Sequence, residues 1–389
     1  MSWIDAVRAE LRRLRWYLLV LLIFLPFAAQ AEDWPAEQEI WLVTYGPGEI
    51  YWQRFGHNAL WVRDTKRGLD HTFNFGFFDF AQENFFLRFL QGRMLYFSAA
   101  QPVRKEFAQY QDENRSIRLQ RLELNSQQIE LLIDYLVNEV APQNRDYLYH
   151  YYRNNCSTRV RDAIDLALGG SLEASTRDLP ASGHWRDHTR RLTAGDFWLY
   201  LGLQISLGSP VDREISLWEE MFIPSALAGA AAQTVNADGT ALVSEDSLLL
   251  ESGWPDPPAE PEAVWYRYLA ASLFIVLLAS AAGRRLPAGL LARAWLILAG
   301  LMGAALLFLW LATDHDVARL NINLLVFNPL WLIFALWKRT ARLALPFIGL
   351  VSTVALVMPW LPPGQYTADV LAAFLPLNLA AAYALRPRV

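Results

Sequence analysis

Cysteine is all but missing from this chain: a single thiol, Cys156, in 389 residues. That excludes an intramolecular disulfide framework and any metal site built on several cysteines, and it leaves Cys156 as either an inert buried thiol or a reactive one. Lysine is scarce as well, at three of 34 basic residues, and the arginines are scattered with no basic tract of the kind that tracks a phosphate backbone. No nucleic-acid partner is expected. Charge is thin, 19% of residues against 54% hydrophobic with a net charge of −5, which is too little for an ordinary soluble protein. A membrane part is expected. Internal repeats are absent, and so is low-complexity sequence outside one proline-rich stretch.

The residues that are present divide the chain. Residues 16–29 form a short apolar run behind Arg8, Arg12, Arg13 and Arg15, closing on Ala29-Gln30-Ala31. This pattern assigns residues 1–31 to a secretory signal peptide cleaved after Ala31, or to an uncleaved signal anchor, and either one exports the next segment of the chain. Residues 34–250 mix strand-like runs at 40–45, 58–63 and 71–78 with helical patterns at 83–91, 126–139 and 157–168, which predicts one α+β domain. Residues 251–263 are rich in proline and acids and predict a stiff extended linker. Beyond it lie five apolar stretches without Asp, Glu, Lys or Arg, at 268–283, 294–312, 320–337, 343–361 and 370–385, so 264–389 is expected to be an all-α, five-helix transmembrane domain. Basic residues fall on alternate loops: Arg284, Arg285 and Arg293, then Lys338, Arg339 and Arg342, then Arg386 and Arg388. Those loops are predicted to be cytoplasmic, which places residues 34–250 outside, on the exported side of a multi-pass membrane protein.

Cys156 lies in YLYHYYRNNCSTRVRDAIDLAL (147–168), at a predicted helix start. Asn155 suits the cap, Ser157 and Thr158 the first turn, and Val160, Ala163, Ile164 and Ala167 form one apolar face. The positive end of the helix dipole stabilises thiolate there, and Arg159 and Arg161 are expected to add to it. The alternative is a small core residue that happens to begin a helix, but polar neighbours on both sides make a dry core site awkward. A reactive thiol needs a base and a group that orients the base. His57, in RFGHNALWV, would begin a strand behind Gly56; the alternative is a hydrogen-bonded strand-end histidine. In DHTFNFGFFDF, His71 shares a face with Phe73, Phe75 and Phe77, while Asn74 shares the other with Thr72 and Gly76. Either His71 or Asn74 fits the orienting role, depending on which face meets His57. His150, His184 and His188 read as surface or packing residues; Gly183 and the lack of a Glu between His184 and His188 argue against zinc. No metal and no organic cofactor is needed for thiol acyl transfer.

Several short motifs, in order, carry a resemblance. TYGPG (44–48), FGHNALWV (55–62), FNFGFFDF (73–80), ENRSIRLQRLEL (113–124), NNCSTRVRD (154–162) and WEEMFIP (218–224) resemble the exported domain of the lipoprotein N-acylating transacylase Lnb family. TDHDVARLNINLLVFNPLW (313–331) is similar to the loop and adjoining span of the same family. The order of histidine, strand polar residue and later helix-start cysteine resembles circularly permuted papain-like enzymes of the NlpC and lecithin:retinol acyltransferase type. The resemblance implies that fold for the periplasmic domain, with His57, Asn74 and Cys156 at the family's histidine, polar and cysteine positions. It implies acyl transfer through Cys156 from a glycerolipid or a diacylglyceryl lipoprotein to an amine such as a lipoprotein N-terminus, with membrane lipids and lipoproteins as partners. A polar loop at the outer surface, with Asp314, His315, Asp316, Asn321 and Asn323, is where a lipid would enter; singly these residues read as interfacial solvation and helix capping. The residues alone reach only acyl transfer. They leave open a cell-wall amidase or peptidase, a lipid hydrolase with the same Cys-His pair, and a non-catalytic assembly module.

Overall fold

Apolar side chains on both faces of the strand-like runs call for a sheet covered on both sides, because successive side chains point to opposite faces. That sheet forms. The computed structural model of the protein describes residues 38–282, 288–337, 339–362 and 364–386; the predicted signal segment and the basic residues Arg284, Arg285, Lys338 and Arg388 lie outside these. Strands β1 (Gln38–Tyr45), β2 (His57–Asp64), β3 (Leu69–Phe77), β4 (Leu95–Pro102), β5 (Ile117–Leu122), β6 (Asp146–Leu148) and β7 (Val243–Leu250) make one sheet in the order β6-β4-β3-β2-β1-β5-β7. Every neighbouring pair is antiparallel. Interleaved with them are α1 (Phe85–Gln91), α2 (Val103–Asp112), α3 (Ser126–Glu139), α4 (Cys156–Ala167), α5 (Ser171–Thr176), α6 (Trp185–Thr193), α7 (Phe197–Ser206), α8 (Leu217–Glu220) and α9 (Pro224–Gln233).

Two cores sandwich the sheet. On one face Leu42, Leu60, Phe73 and Phe75 pack against Leu132 and Leu136 of α3, Val160 and Ile164 of α4, and Leu227 of α9. On the other, Val43, Tyr45, Ala59 and Leu119 meet Phe107 and Tyr110 of α2. Each such buried side chain contributes roughly 1.5–3 kcal/mol, so register is strongly held: a one-residue slip of β2 would move Leu60 and Ala59 into each other's cores.

Beyond the sheet, residues 251–264 hold neither helix nor strand. The stretch is extended but not free. Trp254 Nε1 donates to the Glu113 carbonyl at 3.3 Å, and Arg190 donates to the Glu262 carbonyl at 2.9 Å. The helices after it are α10 (Trp265–Ala282), α11 (Ala288–Ala312), α12 (Trp331–Leu336), α13 (Ala341–Val357) and α14 (Ala368–Ala384). Among the described residues, Gly289–Ala312 and Ala341–Trp360 are long and apolar enough to cross a membrane, and Trp265–Ala281 and Ala368–Ala384 are shorter apolar helices.

The stretch 320–337, expected as a continuous span, is broken into a 3-10 turn at Ile322–Leu325 and the six-residue α12. Pro329 lacks the N–H a helix needs there. The carbonyl of Val326 that the break frees accepts from Asn378 Nδ2 at 2.8 Å and Trp331 Nε1 at 2.9 Å. Irregular backbone is tolerated at membrane depth only when protein satisfies it in this way.

Asn321 caps its own 3-10 turn, its Oδ1 accepting the Asn323 N–H at 2.9 Å, and both asparagines also cap a helix in the other domain. Asn321 Nδ2 donates to the carbonyls of Ile205 and Ser206 at 2.9 and 3.0 Å, and Asn323 Nδ2 to that of Gln204 at 2.8 Å, serving the last turn of α7. Asp316 likewise faces protein: its carboxylate meets Arg153 and lies 2.9 Å from His150 Nε2. Burial and the nearby Arg153 push His150 down to about 4, so this last contact is a neutral hydrogen bond and not an ion pair at neutral pH.

Candidate active site

Asn155 makes the start of α4. Extended at φ −114° and ψ −173°, it accepts the Thr158 N–H on its side chain at 2.9 Å, while its own N–H donates to Thr158 Oγ1 at 2.8 Å. This reciprocal cap fixes Cys156 as the first helical residue. Asn155 Nδ2 also donates to the Tyr151 and Phe222 carbonyls, so the helix start is tied to two loops. The thiol therefore sits at the positive end of a 12-residue helix.

His57 opens β2 directly opposite Tyr45 of β1. Gly56 makes the turn before it at φ +80°, where a Cβ would lie 2.7 Å from the Tyr45 carbonyl. The imidazole stacks on Tyr45, with ring centroids 5.9 Å apart, and Tyr45 stacks on Tyr110 at 3.5 Å. His57 Nε2 is 2.8 Å from Asn74 Oδ1. The ring's other nitrogen, Nδ1, makes no contact with Asn74, and Cys156 is the neighbour whose charge most favours the protonated ring. Of the two orienting candidates the structure brings in Asn74; His71 lies on the opposite face of β3, paired with Val62 and Pro102.

Strand β3 bends to meet the thiol. Its pairing with β4 shifts register between Asn74 and Phe77, and within that bulge Gly76 has φ +94°. A Cβ at Gly76 would stand 3.3 Å from Cys156 Cβ. Gly76→Ala is accordingly expected to cost about 1–2 kcal/mol through the left-handed backbone alone, visible as a lower melting temperature, and to slow alkylation of Cys156 by displacing the strand.

Behind Asn74 lies a residue that the sequence does not single out. Glu106 of α2 is fully buried, and its carboxylate accepts from Tyr45 Oη at 2.5 Å, Asn74 Nδ2 at 2.7 Å, Gln101 Nε2 at 2.8 Å and Thr72 Oγ1. Because a carboxylate only accepts, it turns the Asn74 amide so that Oδ1 faces His57. An acceptor at Nε2 requires a proton there, which leaves the Nδ1 lone pair to take the thiol proton. A signal for Glu106 exists: Val103, Glu106 and Tyr110 share the inward face of α2, and an acid on such a face needs buried donors.

Burial works against charge on both members of the pair, pushing the thiol up and the imidazole down. Their mutual attraction and hydrogen bond outweigh it, helped by the Asn58 and Ser157 backbone N–H groups on the sulfur and by Asn74 and Glu106 on the histidine. Cys156 therefore titrates below the ordinary thiol value and His57 above the ordinary imidazole value. Arg159 and Arg161, expected to add to this effect, are each held by other partners. Arg159 pairs with Glu139, and Arg161 donates to Asp162 at 2.7 Å and to the Trp218 carbonyl at 2.7 Å. The lowered value sets the sign of the pH effect: thiolate persists as pH falls until the Cys156 value is passed. A free thiol near pKa 8.5 is only a few per cent thiolate at neutral pH, so alkylation there is expected to be roughly tenfold or more slower in His57→Ala, with the inflection of its rate–pH profile moved upward.

His184 and His188 each meet a different carboxylate. His188 is buried 3.0 Å from Glu220, and His184 Nδ1 lies 2.8 Å from Asp187.

Residues 30–193, which contain the thiol, its histidine, Asn74 and Glu106, match the Lnb N-terminal periplasmic domain; residues 260–386 match the Lnb transmembrane domain. The chain belongs to the Lnb family. It is a membrane protein in which a periplasmic α+β domain precedes a helical transmembrane region of the Lnb type. No curated protein and no solved structure matches the chain. Helices α7 to α9 and strand β7 fall between the two Lnb matches, so the edge of the sheet beside β5 and the α7 side of the contact with the membrane domain are built from residues that neither covers.

Proposed function

We propose that this Lnb family member is a thiol acyltransferase of the bacterial inner membrane with a circularly permuted papain-like periplasmic domain. It moves an acyl chain from a glycerolipid or diacylglyceryl lipoprotein, through acyl-Cys156, to an amine such as a lipoprotein N-terminus. The observation that carries this reading is a thiol at a helix N-terminus whose charged form is favoured by His57, a histidine held in turn by Asn74 and, behind it, the buried Glu106.

In the first half-reaction the Cys156 thiolate attacks the ester carbonyl while imidazolium His57 holds the proton. Collapse of the tetrahedral intermediate breaks the carbon–oxygen bond, and His57 Nδ1–H passes its proton to the departing alkoxide. In the second half-reaction the amine attacks the thioester, His57 takes its proton, and the thiolate leaves. The Asn58 and Ser157 N–H groups favour negative charge on the sulfur, which the thiolate carries before the first step and regains in the second.

The test is mass spectrometry of a diacylated model lipoprotein incubated in membranes with wild-type protein or Cys156→Ser. An acyl chain moved to the terminal amine by the wild type alone is the expected result. A lipoprotein left unchanged by both sinks transfer to an amine, and loss of a chain to water by the wild type alone replaces transfer with hydrolysis.

A further inference from the structure

Helix α1 has the sequence FFLRFLQ, and none of its residues is buried. Phe86 is 77% exposed, and Leu87, Phe89 and Leu90 are all about half exposed. A soluble surface does not carry such a helix uncovered. Its position says what covers it. The Gln91 carbonyl accepts the Asp314 N–H at 2.8 Å, the Phe89 carbonyl lies 2.9 Å from His315 Nε2, and Arg93 Nε donates to Asp314 at 2.6 Å. A Cβ at Gly92 would lie 2.8 Å from the His315 nitrogen, so the two backbones are in direct contact. Asp314 and His315 come two and three residues after Ala312, the last residue of the membrane-crossing α11. Leu311, one residue before that end, is 71% exposed. The apolar surface of α1 therefore continues the lipid-facing surface of α11 at the level where α11 leaves the bilayer.

An aromatic path leads back from α1 to the thiol. Phe85 contacts Phe80 and Phe80 contacts Phe78, each pair with centroids 5.0 Å apart; Phe78 meets Tyr96 at 5.2 Å, and Tyr96 stacks on Tyr149 at 4.1 Å. Phe78 is two residues from Gly76, where a Cβ would stand 3.3 Å from Cys156 Cβ.

We propose that α1 and the Phe78–Phe80 turn form a membrane-penetrating element. It lies in the leaflet nearest the periplasmic domain, roughly 5–10 Å into the boundary between headgroups and acyl chains. Its occupant is the lipid bilayer that α11 crosses. The further role of the aromatic path, guiding an acyl chain from that leaflet to Cys156, rests on the proposed acyl transfer; the membrane contact itself does not.

The test uses the full chain carrying Cys156→Ser and Phe86→Cys, labelled at its one thiol with an environment-sensitive fluorophore and reconstituted in phosphatidylethanolamine–phosphatidylglycerol vesicles. Expected is blue-shifted emission, most of which is lost when the vesicles contain lipid bearing a nitroxide near the glycerol end of its chain, with little quenching by aqueous iodide. Emission as in water, quenched by iodide and indifferent to nitroxide lipid, overturns the proposal. So does blue-shifted emission indifferent to both quenchers, which would mean that protein covers α1. Because the readout is depth and not turnover, a failure here leaves the acyl-transfer reading standing, and a failure of acyl transfer leaves this one standing.

Discussion

Acyl transfer by Cys156→Ser and by His57→Ala, measured in proteoliposomes against wild type, is expected to fall by on the order of 10⁴-fold in each, with the double variant little worse than either single one. The non-additivity is part of the prediction. Every proton His57 moves belongs to a step that begins with attack by, or on, the Cys156 sulfur, so once the nucleophile is gone the base has nothing left to do. Serine keeps the size of the side chain but, with a far higher pKa than a thiol, cannot rest as the charged partner of imidazolium. A double variant whose loss is the product of the single losses would mean that the two residues work independently, and the pair would not be the reaction centre. Full activity in both single variants would favour a non-catalytic assembly module.

Glu106 is expected to matter in two separable ways. Glu106→Ala strips the acceptor from Tyr45, Thr72, Asn74 and Gln101 at once, all of them at a buried site. Leaving those donors unsatisfied is expected to cost on the order of 3–5 kcal/mol in chemical denaturation. Glu106→Gln keeps the shape but brings a second amide to the cluster. If the Asn74 amide turns over, its NH₂ faces His57 Nε2 and favours the tautomer with the proton on Nδ1, which cannot accept the thiol proton. The expected result is a folded protein with turnover about a hundredfold lower, the loss typical of a misaligned catalytic group. Because the Glu106 charge helps raise His57, the upper limb of the activity–pH profile should also move to lower pH. A merely structural Glu106 would leave that profile unmoved.

Much of this arrangement is legible in residues 34–250. Alternation along FNFGFFDF puts Asn74 and His71 on opposite faces, and the polar flanks of Cys156 mark a capped helix start; both features are local, set by neighbours within a few residues. Local pattern cannot decide which face of β3 meets His57. That depends on α2 lying on one side of the sheet and α4 on the other, a choice made by packing over long sequence separations. Glu106 escapes notice for the same reason, since its partners lie on β1, β3 and β4. The charges of Arg159 and Arg161 are visible in the sequence, but not that Glu139 and Asp162 claim them. Strand β6, three residues long, carries too short a pattern to read at all. In the membrane region composition shows apolar length, and Pro329 is the sign that 320–337 does not stay helical.

The asparagines that close the last turn of α7 have a bearing on how the protein can be cut. The proline-rich stretch looks like the natural place to separate the two halves, yet a fragment ending there would lose the partners of the Gln204, Ile205 and Ser206 carbonyls, and Gly208 would lose the Val317 carbonyl that its N–H reaches at 2.8 Å. The boundary in the sequence is thus not a clean break in the structure: the exported half closes the last turn of one of its own helices with residues synthesised more than a hundred positions later, after the chain has already threaded the membrane.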